Sequence, residues 1–142
     1  MNILFLGAPG SGKGTQSKNI ENKFNIPQIS TGDLLRAETA SDSKMGQELK
    51  SIMSSGKFVS DDIVLKLVSK KITSSDCKNG FILDGFPRNL SQASSLDSLL
   101  NDLDLSIEYV FLIDVPADLI IKRCVGRITC NTCGKIENEY FS

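Results

Sequence analysis

The segment Gly7-Ala8-Pro9-Gly10-Ser11-Gly12-Lys13-Gly14-Thr15 follows a short apolar run, Ile3 to Leu6, and opens a stretch of helical character from Lys13 to Phe24. A strand that passes through glycines into a helix is the context a phosphate-binding loop requires. Glycines permit unusual backbone angles, successive N–H groups converge on phosphate oxygens, and the helix N-terminus adds partial positive charge. Lys13 supplies a full charge. One departure is visible: the strict pattern wants Ser or Thr directly after the lysine, whereas here Gly14 intervenes and Thr15 carries the hydroxyl. The bland alternative is a glycine-rich turn with a solvated lysine. The coincidence of glycines, lysine and hydroxyl in this context favours phosphate.

Apolar runs at Ile3 to Leu6, Phe81 to Leu83 and Tyr109 to Ile113, with a weaker one at Pro27 to Ile29, predict buried parallel strands. Helices are predicted over Lys13 to Phe24, Gly32 to Thr39, Lys44 to Ser54, Asp61 to Ile72, Ser91 to Leu100 and Ala117 to Val125. Ser60 offers an N-cap hydroxyl ahead of Asp61 and Asp62, and Gly56 stands where a C-terminal cap belongs. Ile63, Val64, Leu67, Val68 and Ile72 recur at helical spacing and should face the sheet, leaving Lys66, Ser69, Lys70 and Lys71 largely in solvent. The β-α-β-α alternation gives an open α/β fold.

A chain of 142 residues suits one compact domain. Sixteen basic against seventeen acidic residues leave no basic field for nucleic acid. No apolar run approaches the roughly 20 residues that span a bilayer, so no membrane partner is expected. The N-terminus lacks a signal peptide's basic start, and the cytoplasm follows as the expectation. With no histidine, Ser-His and Cys-His nucleophile pairs cannot be built. Asp84, at the end of Phe81-Ile82-Leu83, reads either as a carboxylate holding Mg²⁺ directly or through water, or as a cap on the turn before Gly85.

Taken in order, GAPGSGKGT, PQISTGDLLR, NGFILDGFPRN and DVPADLIIKRCVGR resemble adenylate kinases block by block, over essentially the whole chain. STGDLLR and DGFPR are more specific than the loop alone, and the GTPase base-reading N-K-x-D is absent. The resemblance implies a P-loop parallel sheet core (1–29 and 60–125), a helical AMP-binding insertion (30–59) and a partial lid (126–142). It also implies phosphoryl transfer from ATP to AMP giving two ADP, with Mg²⁺ accompanying ATP, in a monomer.

By similarity, ATP contacts fall to Gly10, Ser11, Gly12, Lys13, Gly14, Thr15, Arg123, Arg127, Ile136 and Glu137. AMP contacts fall to Thr31, Arg36, Lys57, Phe58, Val59, Gly85, Phe86, Pro87, Arg88 and Gln92. Lys13, Arg88, Arg123 and Arg127 are the implied catalytic cations. Arg36 and Arg88 present planar forks to a phosphate, and Gln92 offers a donor and an acceptor to an adenine edge. Singly, Arg88 reads as a surface ion-pair partner and Gln92 as a solvated helix residue; the D-G-F-P-R-x-x-x-Q spacing reverses that. Thr31 also reads as a helix cap beside Ser30. Arg123 and Arg127, four apart, share one side if the helix continues that far, or serve as helix C-terminal cations.

Cys130-Asn131-Thr132-Cys133-Gly134 resembles half of the zinc knuckle that some adenylate kinases carry in the lid. Structural zinc normally takes four protein ligands, so Cys130 and Cys133 form a half site, and Zn²⁺ is expected only if the lid is completed. A redox role for this C-x-x-C lacks a thioredoxin-like context, while Cys77 and Cys124 read as inert filling. The family pattern continues past Ser142, so the chain reads as a fragment or a natural truncation, expected to bind nucleotides yet turn over slowly. Two rivals stand: a pyrimidine monophosphate kinase, disfavoured by Thr31 with Gln92, and a non-catalytic nucleotide-binding module.

Overall fold

The computed structural model describes the whole chain apart from Gly56, Phe58, Gly134, Lys135 and Ser142, and for Ile136 the backbone only. Its elements run β1 (Asn2–Leu6), α1 (Lys13–Phe24), β2 (Gln28–Ser30), α2 (Thr31–Thr39), α3 (Lys44–Ser54), α4 (Asp61–Ile72), a 3₁₀ turn (Ser75–Cys77), β3 (Phe81–Asp84), α5 (Leu90–Asp102), β4 (Tyr109–Leu112), α6 (Ala117–Val125), β5 (Arg127–Thr129) and β6 (Ile136–Asn138). The first four strands form one sheet in the order β2-β3-β1-β4, with every pair parallel. The remaining two form a separate antiparallel hairpin. This is the α/β parallel-sheet architecture that the alternation of runs predicts.

The strand period of two divides β1 between the sheet's faces. Ile3 and Phe5 pack with Ile26, Ile82 and the α1 residue Ile20. Leu4 packs on the opposite face with Val64, Val68 and Ile72 of α4 and Leu96 and Leu100 of α5. Within α4, Val64, Leu67, Val68 and Ile72 are buried and Ile63 is half-buried; Lys66 and Lys70 are exposed as the spacing predicts, whereas Ser69 and Lys71 are half-buried. Each fully buried aliphatic side chain contributes about 1.5–3 kcal/mol. That face, and not intrinsic helix propensity, holds α4 in place.

Residues 30–59 hold α2 and α3, which meet closely. A Cβ on Gly46 would lie 2.3 Å from the Glu38 carbonyl oxygen and 2.7 Å from that of Ser41, so only glycine fits there. Ser43 caps α3 by accepting from the Gly46 N–H at 2.8 Å.

Three expectations need correction. Ser60 is the N-cap residue of α4, but its hydroxyl makes no capping hydrogen bond, leaving the acidic first turn to favour the helix start. Helix α6 ends at Val125 with Gly126 as its cap, and Arg127 opens β5; Arg123 and Arg127 therefore share no helix face. The predicted burial of the Tyr109 to Ile113 run also fails: all of β4 is exposed, because it is an edge strand that no described helix covers. The cap expected at Gly56 lies outside the described residues.

Candidate nucleotide-binding site

Parallel register sets the site. Phe5 of β1 pairs with Asp84 of β3, so the chain leaves both strands at the same sheet end and side by side. The glycine loop emerges from β1 and the Gly85-Phe86-Pro87-Arg88 turn from β3. This is the position, outside the carboxyl ends of parallel strands, where open α/β sheets bind ligands.

In the loop, Gly12 caps α1 at φ 101°, a left-handed conformation that side chains disfavour; open space surrounds it, so the backbone angle alone calls for glycine. The first N–H groups of α1, from Lys13, Gly14 and Thr15, have no intrahelical acceptor and point out of the helix start. Lys13 Nζ donates to the carbonyls of Gly7 at 2.7 Å and Ala8 at 2.9 Å, folding its charge over the loop. Ser11 is buried, and its Oγ has no hydrogen-bond partner among the described residues. Gly10 is exposed, but a Cβ there would lie 2.7 Å from Cys124 Sγ of α6.

Helix α6 closes on the loop from the side. Arg123 Nη1 donates to the Ser11 carbonyl at 3.1 Å. Cys124 is exposed and its Sγ lies 3.6 Å from the Pro9 carbonyl, so it borders the loop instead of filling a core. Cys77 is buried, and burial pushes its thiol pKa up, as befits core filling.

Around β3, Thr31 is buried and its Oγ1 points to the Gly85 carbonyl at 3.4 Å. Arg88 is exposed and donates through Nε to the same carbonyl at 2.7 Å. Thr31, Gly85, Arg88 and Gln92 thus stand together. Phe86 is 1% exposed and belongs to the core, so its side chain packs away from the cleft. Pro87, after a cis peptide, lines it. Arg36 is exposed and pairs with Asp33 at 2.5 Å within α2. Lys57 is exposed with its N–H on the Ile52 carbonyl, Val59 leans on the core, and Phe58 lies outside the described residues.

A cleft of about 400 Å³ is lined by Phe5, Leu6, Gly7, Pro9, Lys13, Gly85, Pro87 and Arg88. It brings the loop lysine and the D-G-F-P-R arginine to one space. A wider hollow, about 540 Å³, lies between α2 and α3 at Thr39, Ala40, Lys50, Met53 and Ser54 and has a single cation.

Two residues that touch these side chains are not expected at the site from the sequence. Gln28 donates from Nε2 to Asp84 Oδ2 at 2.7 Å, and Asp61 accepts from Gln92 Nε2 at 2.6 Å. Gln28 stands within PQISTGDLLR and Asp61 in the first turn of α4, where its charge has a sufficient local explanation. Asp84 Oδ2 lies 3.6 Å from where a Gly14 Cβ would be, which sets the carboxylate beside the loop.

Arg127, Ile136 and Glu137 belong to the hairpin, in which Arg127 pairs with Asn138 and Ile128 with Glu137. No described hydrogen bond or ion pair ties Arg127 to the loop. Cys130 and Cys133 are exposed in the connection between β5 and β6, while Gly134 lies outside the described residues. The backbone N–H groups of Cys133, and then of Thr132, hold the Cys130 pKa down to about 7. Among the described residues no three Cys, Asp or Glu side chains converge as a metal site.

Residues 5–139 match the family model described as adenylate kinase. Over all 142 residues the chain is 49% identical to an adenylate kinase of Thermodesulfovibrio yellowstonii, covering 66% of that protein. It is 46% identical over the same 142 residues to adenylate kinases of Nitrosococcus oceani and Archaeoglobus fulgidus, covering 65% of each. The chain therefore spans just under two thirds of the length of these relatives. The loop, the β3 turn and the cleft between them agree with this match, and the chain belongs to the adenylate kinase family.

Proposed function

We propose that the protein carries a phosphoryl group between ATP and AMP, giving two ADP. The observation that supports this most is the single cleft lined by both Lys13 and Arg88, since a transfer between two nucleotides needs two anion sites facing one space. Residues 30–59 serve as the AMP-binding insertion, residues 1–29 and 60–125 as the core, and residues 126–142 as the start of the lid.

The loop from Gly10 to Thr15 receives the ATP phosphates, with Lys13 trading its two carbonyl acceptors for phosphate oxygens. Arg123, already on the loop at Ser11, adds a second cation from the side. Arg88 and Arg36 take the AMP phosphate and Thr31 and Gln92 the nucleoside. Neither substrate needs a side-chain base, because the acceptor is already a phosphate oxygen; positioning and charge do the work. Asp84 and Thr15 supply the hard oxygen donors that suit Mg²⁺, which spreads the charge of the transferring group when bound. Operation in the cytoplasm, without nucleic acid, completes the reading. No described helix is long and apolar enough to cross a membrane.

Calorimetry of ATP and AMP binding tests it. The unaltered chain should bind both, and Lys13→Ala should weaken ATP by about tenfold or more while leaving AMP affinity largely intact. ATP affinity unchanged in Lys13→Ala, or preference for UMP or CMP over AMP, would remove the assignment.

A further inference from the structure

Gln92 is 8% exposed and its amide is held at both ends. Its Oε1 accepts from the Arg88 backbone N–H at 2.7 Å, and its Nε2 donates to Asp61 Oδ1 at 2.6 Å. The Asn89 side chain meanwhile accepts from the Gln92 backbone N–H at 2.8 Å, which fixes the first turn of α5. A backbone N–H can only donate and an ionised carboxylate can only accept. Turning the amide over would set donor against donor at Arg88 and acceptor against acceptor at Asp61. The amide therefore has one orientation.

One hydrogen on Nε2 and one lone pair on Oε1 remain for a ligand. Placed side by side, they match either of two purine edges, depending on which way the amide faces. A 6-aminopurine shows a donor at position 6 and an acceptor at N1. A 6-oxopurine shows the reverse. A free glutamine could turn to suit both, whereas a fixed one reads a single pattern.

We propose that Asp61 is a specificity-determining positioning residue, which locks the Gln92 amide so that the site accepts a 6-aminopurine monophosphate and rejects a 6-oxopurine one. This rests on the reading above that Gln92 faces the acceptor base. Asp61 touches no nucleotide; it acts through Gln92, from a different helix and 31 residues away. The helix-start role of its charge is shared by its neighbour Asp62, which is exposed in the same turn of α4. Asp62 thus provides the control that a purely structural role demands.

The test compares AMP and IMP binding by calorimetry in the unaltered chain, Asp61→Asn and Asp62→Asn. Asparagine presents either a donor or an acceptor, so half of the lock is released in nearly the same shape. The AMP-to-IMP affinity ratio should fall about fivefold or more in Asp61→Asn and stay within about twofold in Asp62→Asn, the size of effect one mispaired hydrogen bond gives. In NMR spectra of the free protein, the Gln92 side-chain NH₂ protons should be separately resolved and slow to exchange, and should lose that protection in Asp61→Asn. An unchanged ratio in Asp61→Asn, or an equal fall in Asp62→Asn, overturns the inference while AMP binding survives. Absence of AMP binding by the unaltered chain overturns it together with the proposed function.

Discussion

Two hydrogen bonds tie Lys13 to its own loop, so in the proposed reaction a phosphate has to replace both acceptors, and the same logic applies to the acidic side of the cleft. Asp84 accepts from the Gln28 amide on one oxygen, at 2.7 Å, which fixes the carboxylate plane beside Gly14. If Asp84 serves Mg²⁺, Gln28 decides how well it is aimed, because the partners of a ligating carboxylate orient it. Replacing Gln28 by Leu should leave ATP affinity in chelator nearly unchanged and reduce the gain on adding Mg²⁺ by about fivefold. Calorimetry with and without the metal separates the two, and an equal loss in both conditions would make Gln28 merely structural. At this scale the sequence was legible where spacing within one block carries the contact. Arg88 bonds both Gly85 and Gln92 within the one D-G-F-P-R-x-x-x-Q motif, whereas the contact of Thr31 with Gly85 spans 54 residues and is implied by the resemblance alone. Gln28 and Asp61 were not legible as site members, since their partners lie 56 and 31 residues away and only the sheet order and the packing of α4 on α5 bring them together.

Helices α1, α3, α4 and α6 have the bounds that the sequence predicts, and for α4 the apolar spacing and the acidic first turn account for it. The β5–β6 hairpin had no such signal: its strands are three residues long, too short for alternation to register. Between α1 and β2 the link is electrostatic as well as apolar. Asn25 ends α1 in the left-handed conformation, and Glu21 then accepts from the Gln28 N–H at 3.2 Å and pairs with Lys18 at 2.5 Å. Burial raises the Glu21 pKa, but the Lys18 hydrogen bond, the Gln28 N–H and the Lys18 charge together outweigh it, and the net shift is downward. A carboxylate whose folded pKa is depressed stabilises the fold above its unfolded value of about 4.3, and that contribution is lost as pH falls through the folded pKa. Glu21→Gln should therefore melt below the unaltered chain by a few degrees at neutral pH, and the gap should close in acid as Glu21 is protonated. A gap that is constant with pH would mean that the charge of Glu21 is immaterial.

For the molecule as a whole, the sheet is asymmetric. At one side β2 and β3 are flanked by α1 and by the core against α4 and α5, whereas β4 presents Tyr109, Val110, Phe111 and Leu112 at 51%, 58%, 43% and 69% exposure. Helix α6 adds Ile121 and Val125, at 62% and 71%. The apolar run that forms β4 reads as buried because hydrophobicity reports what a strand can be packed against, whereas all four residues of the strand are exposed. On one face the Phe111 ring stacks on Phe5 at 5.3 Å and on Tyr109 at 6.4 Å, which keeps part of that surface together. Val110 and Leu112 face the other way by the strand period, in register with Leu4 and Leu6 of β1, and remain exposed. The monomer expected from the resemblance has to coexist with this surface, and an open, apolar edge strand is a template for pairing with another chain. The 142-residue chain should accordingly gain mass with concentration in sedimentation equilibrium and bind a hydrophobic dye. Leu112→Lys should suppress both without altering the far-UV circular dichroism, because a lysine on an exposed edge is tolerated by the fold and disfavours strand pairing. A chain that stays monomeric at high concentration, or a lysine variant that associates as strongly, would show that the β4 edge does not drive association.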